Sequence, residues 1–523
     1  MKKIVIIGIC MVLFPCIGFS EDIYISQTLQ GADSGSSCLN SHSASWFNTS
    51  GNWANPKQSG KIGPGDTAHL CGTFTTQLTT QASGANGSPI MILFENGAKY
   101  STGTWTAGTG AITVSGKSFI TIDGGTNGII EATDTGTTPT WGGSKTYNAS
   151  IIGVYLNAVD NVIVKNLTIR NTYARLAGSS DCVQGHGFNI QINGSSTNVT
   201  IDSNTSYGSY YGVYGSFGIA SNIIVKNNNI YDTSVGVNLA PGNTSSTGNN
   251  ISVYGNTIHG GNVWDGLFDH ATCANYVSQG CSSSCATDDH VHQDGMHLFS
   301  QGDTGWMNNV NIYNNYLQDF GTHSTGHIYI EYHGMQNVMV YNNVCVNTGA
   351  NFAGNGLITV KAADGVKIYN NTLIGNAAQA NRGIYLNSNL GHEPQNVDIK
   401  NNIFDNIQYY ICWLPGTTWT ADYNSYYGGV SSPFFDGSTL YNYSSWQGQG
   451  YDAHGTTVIP QLSLSYQLTT ASSNTLKVGG VNLSNIFTVD RSGLTRPQAG
   501  GWSIGAYQFN GRRPNPPTAL TLQ

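Results

Sequence analysis

The nine residues 290–298 carry the side chains of this sequence that are best suited to chemistry. This stretch and the two residues just before it contain the acidic and imidazole groups of Asp288, Asp289, His290, His292, Asp294 and His297. Carboxylates are the ligands that Ca²⁺ prefers, whereas imidazoles suit zinc or another transition metal and also transfer protons near neutral pH. Only 9% of the residues are charged, so the cluster stands out. It indicates proton transfer or metal binding; the alternative is that these groups hydrogen-bond a loop in place.

A repeat surrounds this stretch and predicts how its side chains are positioned. Each unit begins with Asn or Gly, continues with alternating apolar residues and ends in Asn-Asn or a close variant. The units start at residues 161, 198, 222, 250, 309, 337, 365 and 396. Alternation with a period of two, repeated at this spacing, means stacked short strands rather than helices. Asparagine tolerates left-handed backbone, so we expect a column of stacked asparagines at one corner of every coil.

This pattern resembles the right-handed parallel β-helix of the pectate-lyase-like superfamily, whose coils carry three strands each. The resemblance implies an all-β solenoid with irregular N-terminal coils, a long loop insertion and a C-terminal segment that covers the last coil. We expect a signal peptide at 1–20, irregular first coils at 21–150 and regular coils at 151–410 with an inserted loop at 259–294. The covering segment would be 411–510, and 511–523 would be a flexible tail. A composition rich in Gly, Asn, Ser and Thr agrees with an all-β chain.

Each unit also carries an earlier strand that begins near a glycine. Alternation sends its Val, Ile and Leu side chains inward, and neighbouring coils lie about 4.8 Å apart. The outward residues His297, Tyr329, Glu331 and Lys361 are therefore predicted to form one compact exposed patch over three successive rungs. Tyr385 and Asn387 would extend it as substrate-binding groups. A register slip of one residue would bury these groups instead.

One interval of the repeat is much longer than the others. The units at 250 and 309 are 59 residues apart, whereas the next two intervals are 28 residues each. The excess lies just before the strand of His297, so we expect a loop that folds over the patch. It contains Trp264 and Asp265, and exposed aromatic rings beside carboxylates are typical of a sugar-binding wall.

The N-terminus and the net charge restrict where the protein acts and on what. A basic Met-Lys-Lys start, an apolar run from Ile4 to Phe14 and small residues before Glu21 are typical of a secretory signal. We therefore expect a secreted or cell-surface protein without an integral membrane segment. The formal net charge is −8, which excludes a nucleic-acid partner because phosphate neutralisation needs a basic face. A polysaccharide substrate fits better, and we expect a monomer.

Eight cysteines remain after removal of the predicted signal, and export would allow them to oxidise. Cys38–Cys71 and a pair among Cys273, Cys281 and Cys285 are plausible disulfides, although spacing does not fix the connectivity. A zinc site at Cys281-x3-Cys285 is the alternative to a disulfide that staples the long loop.

Two further motifs, Pro64-Gly-Asp-Thr67 and Gly87-Ser-Pro-Ile90, are similar to the start of β-helix lyases of the alginate lyase/chondroitinase B type. The resemblance implies β-elimination at uronic acids, with Lys361 as the base, Arg382 binding or protonating the substrate, and Glu331 as a calcium ligand. Such a reaction needs neutralisation of the carboxylate, a base and an acid. The sequence departs from the family because Tyr329 replaces a second glutamate and Arg382 opens its strand.

Several alternatives to this assignment stay open. Tyr329 with His297 could be the base and acid pair, and Lys361 could be a solvated cation paired with Glu331. A glycoside hydrolase would use two carboxylates, for which Asp294 and Glu331 are candidates. A metal, most simply Ca²⁺, could be held by Glu331, Asp294, Asp288, Asp289 and His292, and a transition metal is not excluded. A non-catalytic carbohydrate-binding or adhesin-like protein would use the same outward column.

Overall fold

The computed structural model describes residues 20–106, 108–133, 151–172, 182–183, 187–261, 268–269, 292–302, 305–320, 324–349, 355–377 and 381–511. All but the last residue of the predicted signal peptide, most of the inserted loop and all but the first residue of the predicted tail lie outside these residues. No helix in the described part of the chain is long and apolar enough to cross a membrane.

Strands dominate this structure and pair almost entirely in parallel, so that each coil contributes one strand to each of three ladders. The first ladder is a sheet of 14 strands. In stacking order its strands are His42–Ser43, Asp22–Ser26, Thr67–Cys71, Ile90–Phe94, Ser118–Asp123, Asp160–Lys165, Thr197–Asp202, Ile219–Lys226, Thr247–Tyr254, Trp306–Tyr313, Met335–Tyr341, Lys367–Tyr369, Val397–Lys400 and Trp419–Asp422.

The second and third ladders are joined because two long strands, Thr205–Phe217 and Asn229–Pro241, run through both of them. The other strands of the second ladder are Thr73–Phe74, Lys99–Thr102, Ile129–Ala132, Thr168–Arg170, Thr257–His259, Tyr316–Gln318, Val344–Val346, Thr372–Ile374, Ile403–Asp405 and Ser425–Tyr427. The other strands of the third ladder are Leu78–Thr79, Gly110–Ser115, Ile152–Asn157, Phe188–Gly194, Asp294–Phe299, Gly326–Glu331, Gly356–Lys361, Arg382–Asn387, Tyr409–Trp413 and Phe434–Phe435.

The remaining elements are short. Cys182–Val183 pairs with Phe268–Asp269, and the helices are Cys38–Asn40, Ala44–Phe47, Ser50–Asn52, Tyr443–Gly448 and Asn474–Val478. Inside the coils the apolar side chains of neighbouring rungs stack: Val310 and Ile312 of the first ladder and Ile328 and Ile330 of the third are fully buried. Three parallel ladders around one continuous core are a parallel β-helix, and this confirms the predicted fold.

A column of buried asparagines runs along the corner between the first and second ladders. Its members are Asn204, Asn228, Asn256, Asn315, Asn343, Asn371, Asn402 and Asn424, each at most 2% exposed. Each Nδ2 donates to the Oδ1 of the next member at 3.0–3.1 Å, and Asn424 donates to Asp452. The residue just before a member has left-handed backbone, for example Asn314 with φ 57° and Asn342 with φ 54°. The predicted asparagine column is confirmed.

Parallel pairing continues beyond residue 410, where the sequence repeat fades, as far as Phe434–Phe435. The ladders are held by main-chain hydrogen bonds, which do not depend on the repeated side chains. An antiparallel strand, Leu440–Tyr441, and the helix Tyr443–Gly448 then close the stack. Trp446 of this helix is fully buried, and its ring stacks on Phe434 with centroids 4.1 Å apart. The exposed end of the core is thereby covered.

The later part of the covering segment lies along the flank of the solenoid. The outward asparagines Asn342, Asn370 and Asn401 each donate from Nδ2 to a main-chain oxygen of this segment. The acceptors are Val489 at 2.9 Å, Ser503 at 2.9 Å and Val481 at 2.8 Å. These corner amides offer hydrogen-bond donors that an irregular chain can satisfy, which explains why the segment follows the corner.

Arg496 anchors the same segment although it is fully buried. Its guanidinium donates to Asn342 Oδ1 at 2.8 Å and to the main-chain oxygen of Gly505 at 3.0 Å. It also lies 5.1 Å from the centre of the Trp502 ring. Burial lowers the pKa of Arg496 to about 10. The cation is therefore a structural link between the segment and the coils.

Cys38 and Cys71 form a disulfide between the first two coils, as predicted. Cys345 and Cys412 are buried free thiols in the described part of the chain. The predicted pairing or zinc site among Cys273, Cys281 and Cys285 lies outside the described residues.

Candidate functional site

Three neighbouring strands of the third ladder bring the predicted patch together. His297 lies opposite Tyr329, and Glu331 lies opposite Lys361 on the next rung. The alternate residues Met296, Ile328 and Ile330 point into the core and are fully buried. The predicted strand register is therefore confirmed, and the outward side chains share one face.

Glu331 is the centre of this cluster, and both of its carboxylate oxygens have nitrogen partners. Oε2 lies 3.2 Å from Nε2 of His297, and Oε1 lies 3.0 Å from Nζ of Lys361. Asn389 Nδ2 also donates to Oε1 at 2.8 Å. One carboxylate thus holds an imidazole, an ammonium and an amide in fixed positions.

The cluster is more buried than the predicted exposed patch. Tyr329 is 4% exposed and Glu331 is 7% exposed. The His297 ring stacks on Tyr329 with centroids 4.5 Å apart and contacts Phe299 at 4.4 Å. Rings on adjacent rungs cover each other, which the alternation of inward and outward residues does not reveal. Lys361 is the most accessible charged group, with 28% of its side chain exposed.

The charges of the cluster follow from this packing. Burial by itself would raise the pKa of Glu331, but the contacts with His297 and Lys361 prevail and hold this pKa at about 2. Burial, together with the Glu331 carboxylate beside it, raises the pKa of Tyr329 far above its ordinary value. At neutral pH Glu331 is therefore ionised, and Tyr329 keeps its proton and can act only as a proton donor.

The lowered pKa of Glu331 makes the stability of the protein depend on pH. The pKa of Glu331 is 4.5 in the unfolded chain and about 2 in the folded chain. At pH values above 4.5 the ionised carboxylate therefore stabilises the folded state in full. This stabilisation is lost as the pH falls towards about 2. We expect a loss on the order of 3 kcal/mol in the free energy of unfolding across that window. Urea unfolding from pH 6 to pH 2 checks this, with Glu331→Gln as the comparison. An equal pH slope in the variant and the native protein would contradict it.

Arg382 is not brought to Lys361. It opens its strand opposite Gly356, whereas Lys361 lies opposite Asn387, five positions further on. The two basic residues are therefore separated by about 16 Å along the ladder. The Arg382 guanidinium lies 4.5 Å from the centre of the Tyr385 ring. The sequence placed Arg382 on the coil next to that of Lys361, but the position along the strand decides which groups meet. Of the predicted binding residues Tyr385 and Asn387, only Asn387 lies beside Lys361.

Asp294 also stands apart from Glu331. It is fully buried opposite Gly326, five positions before Glu331 and so about 16 Å away along the strand. Its Oδ1 accepts hydrogen bonds from N and Oγ1 of Thr325 and from N of Gly326. Paired glycosidase carboxylates lie within about 10 Å of each other. The predicted hydrolase pair is therefore not assembled.

The donor set of the described residues does not suit a calcium ion. No three His, Cys, Asp or Glu side chains converge on a metal position within the described ranges. Both oxygens of Glu331 and one oxygen of Asp294 already accept hydrogen bonds, whereas calcium needs several oxygens directed at it. His292 Nδ1 lies 3.9 Å from Asp294 Oδ2, and 56% of the His292 side chain is exposed.

Some predicted residues cannot be placed. Asp288, Asp289, His290, Trp264 and Asp265 lie outside the described residues. Conversely, the sequence analysis missed Asn389, which touches Glu331 from a turn. The sequence Asn389-Leu-Gly-His392, directly after a strand, is a turn signal that could have located it.

No protein-family model matches this chain, and no curated protein matches it. Among solved structures it is similar to pectate lyase Pel9A, with 14% identity over 94% of this chain and 98% of that one and a TM-score of 0.43. It is similar to the GH136 lacto-N-biosidase from Eubacterium ramulus, with 12% identity over 77% and 67% and a TM-score of 0.44. The A-module of the Azotobacter vinelandii mannuronan C-5 epimerase AlgE6 has 14% identity over 71% and 91% and a TM-score of 0.38.

Proposed function

We propose that this chain is a secreted or cell-surface enzyme that cleaves uronic-acid-containing polysaccharide by β-elimination. The observation that supports this is the cluster of His297, Tyr329 and Lys361 around the Glu331 carboxylate on three adjacent rungs of the third ladder. It contains a cation, a proton donor and an imidazole, which are the three kinds of group that the reaction needs.

Each group of the cluster has a role in this proposal. The ammonium of Lys361 is partly accessible and neutralises the carboxylate of the substrate, whose C5 proton becomes more acidic. His297 directs Nε2 at Glu331, so its other ring nitrogen, Nδ1, is the one that accepts the C5 proton. Tyr329 gives its proton to the leaving oxygen as the C4–O bond breaks and the C4–C5 double bond forms. Glu331 holds His297 and Lys361 in position.

The base in this scheme differs from the one that the family resemblance implies. Nζ of Lys361 is 3.0 Å from the ionised carboxylate of Glu331 and forms an ion pair with it. A charged ammonium neutralises the substrate better than it removes a proton. The imidazole of His297 is therefore the proposed base, with Tyr329 as the acid.

The products of the purified protein test the proposal. We expect new chain ends with a C4–C5 double bond, detected by ultraviolet absorbance, on at least one polymer of a panel of galacturonan, mannuronan, guluronan and glucuronate-containing glycosaminoglycans. Neutral glucans and mannans would give no such ends. New reducing ends without the absorbance would indicate a hydrolase. Retention of a polysaccharide without products would indicate a binding protein, and either result would overturn the lyase proposal.

A further inference from the structure

A tight turn at residues 389–392 reaches back across one coil of the solenoid. Asn387 lies opposite Lys361, and Lys361 lies opposite Glu331, so the strand that leads into the turn is two rungs from Glu331. Asn389 nevertheless donates to Glu331 Oε1 at 2.8 Å. The main chains of Asn389 and His392 close the turn with two hydrogen bonds of 2.9 Å. The turn therefore bridges the coil that carries Lys361.

The central residues of this turn explain its shape. Leu390 has φ 51° and Gly391 has φ 83°, and two positive φ values in succession are typical of a two-residue hairpin turn. Leu390 is 71% exposed at the tip. The turn thus forms a wall beside the cluster, with an apolar tip that faces solvent.

His392 extends the same bridge to a second imidazole. Its ring stacks on that of His333, with centroids 4.8 Å apart and planes inclined by 13°. His333 follows Glu331 by two residues, and its Nδ1 lies 3.2 Å from Asp364 Oδ2. Asp364 is itself fixed, because its Oδ1 accepts a hydrogen bond from the main-chain N of Gln395 at 2.8 Å. A carboxylate on one side and a ring on one face hold the His333 imidazole in a defined orientation.

The edge of His333 that carries Nε2 is directed away from Asp364. The His333 side chain is 38% exposed, so the ring is in contact with solvent. An imidazole that binds a carboxylate through Nδ1 presents Nε2 to a ligand, and in its charged form it makes a short, charge-assisted hydrogen bond to an anion. Glu331 does not oppose such an anion strongly, because the ammonium of Lys361, 3.0 Å away, offsets its charge.

We infer that His333, Asp364 and the turn 389–392 form a second sugar subsite beside the cluster. The inference rests on the proposed function. The subsite binds the carboxylate of the uronate residue next to the one that Lys361 neutralises. A polymer in which every residue is acidic presents a carboxylate at each position, and His333 offers a hydrogen-bond donor to one of them on the coil of Glu331. Asp364 and His392 are positioning residues for this imidazole.

Steady-state kinetics with a uronate hexamer, of the polymer that the protein cleaves, test the subsite. We expect His333→Gln to raise KM about tenfold with kcat nearly unchanged, as for loss of one hydrogen bond to a charged group. Asp364→Asn should raise KM in the same direction. On the methyl-esterified hexamer, whose carboxyl groups are neutral, the native protein and His333→Gln should have equal KM values.

His454 provides a matched control. Its Nδ1 lies 2.9 Å from Asp422 Oδ2, and its ring stacks on Tyr423 with centroids 4.4 Å apart, which is the same arrangement away from the cluster. His454→Gln should leave KM unchanged. Equal KM values for His333→Gln and the native protein on the acidic hexamer would overturn the subsite.

Experiment can disprove the proposed subsite and the proposed reaction independently of each other. If the native protein forms no unsaturated ends, β-elimination is wrong, and calorimetric titration with each uronate hexamer of the panel then decides the subsite. Binding that His333→Gln weakens about tenfold would support it. Absence of binding to every hexamer, or equal binding by the variant, would overturn it.

Discussion

Replacing Lys361 by alanine is expected to lower kcat/KM about 100- to 1000-fold, which is the usual effect of removing one preorganised group that stabilises developing charge. Lys361 is the accessible cation of the cluster, and its Nζ lies 3.0 Å from Glu331. Without it, nothing in the proposed mechanism neutralises the substrate carboxylate, so the C5 proton stays weakly acidic. The rate of formation of unsaturated ends measures the effect.

Lys165 is the matched control for this experiment. It lies opposite Asp123 on the first ladder, and the ion pair between them is 3.0 Å long, as in the pair of Lys361 and Glu331. The exposed fractions are also similar, 35% for the Lys165 side chain and 28% for that of Lys361. Lys165→Ala should leave kcat/KM unchanged. Equal activity of both variants would contradict the site.

Loss of activity must also be separated from loss of structure. Lys361→Ala leaves the buried Glu331 carboxylate with one charged partner fewer, which destabilises the chain. The double variant Lys361→Ala/Glu331→Gln removes both charges and should recover much of that stability without recovering activity. A double variant that is stable and fully active would exclude Lys361 from the reaction.

Asn343→Ala is expected to lower the free energy of unfolding by about 3 kcal/mol or more, because several buried polar groups lose their partners at once. The side chain of Asn343 donates to Ile312 O and to Asn371 Oδ1, and its Oδ1 accepts from N and Nδ2 of Asn315. All three asparagine-column contacts lie in the interior, where water cannot replace them. Chemical denaturation of the variant and the native protein measures the difference.

An exposed asparagine gives the comparison. Asn222 belongs to a second column on the outer surface, where its Nδ2 donates to Asn198 Oδ1 at 2.8 Å. Its φ is 56°, which glycine adopts without strain, so Asn222→Gly removes the side chain alone. We expect Asn222→Gly to lower the free energy of unfolding by less than about 1 kcal/mol, because water replaces the hydrogen bond to Asn198. If both variants lost a similar free energy of unfolding, burial of the asparagine column would not be what stabilises the protein.

Much of the architecture could be predicted because it is encoded locally. The alternation of apolar residues fixes which side of a strand faces the core, and an Asn-Asn pair fixes both a left-handed corner and a stacked amide. The same alternation, carried from rung to rung, placed Glu331 opposite Lys361. These features need only the sequence of one coil and its neighbour.

The remaining features depend on contacts that no local pattern contains. Burial of Tyr329 results from rings on other rungs. Arg382 opens its strand, as the sequence indicated, and this position keeps it away from Lys361. The turn that carries Asn389 spans two coils, so its contact with Glu331 follows from three-dimensional packing alone. The course of the C-terminal segment is set by single amides such as that of Asn370.

The contacts between the C-terminal segment and the flank of the solenoid can form only late in synthesis. Asn342 and its acceptor Val489 are 147 residues apart, and Asn370 and Ser503 are 133 apart. Because a nascent chain emerges and folds from its N-terminus, the coils of Asn342 and Asn370 leave the ribosome long before their acceptors exist. A chain whose translation stopped near residue 480 would therefore form a solenoid whose flank lacks its covering segment. The flank would become resistant to proteases only after the final stretch of chain had been synthesised.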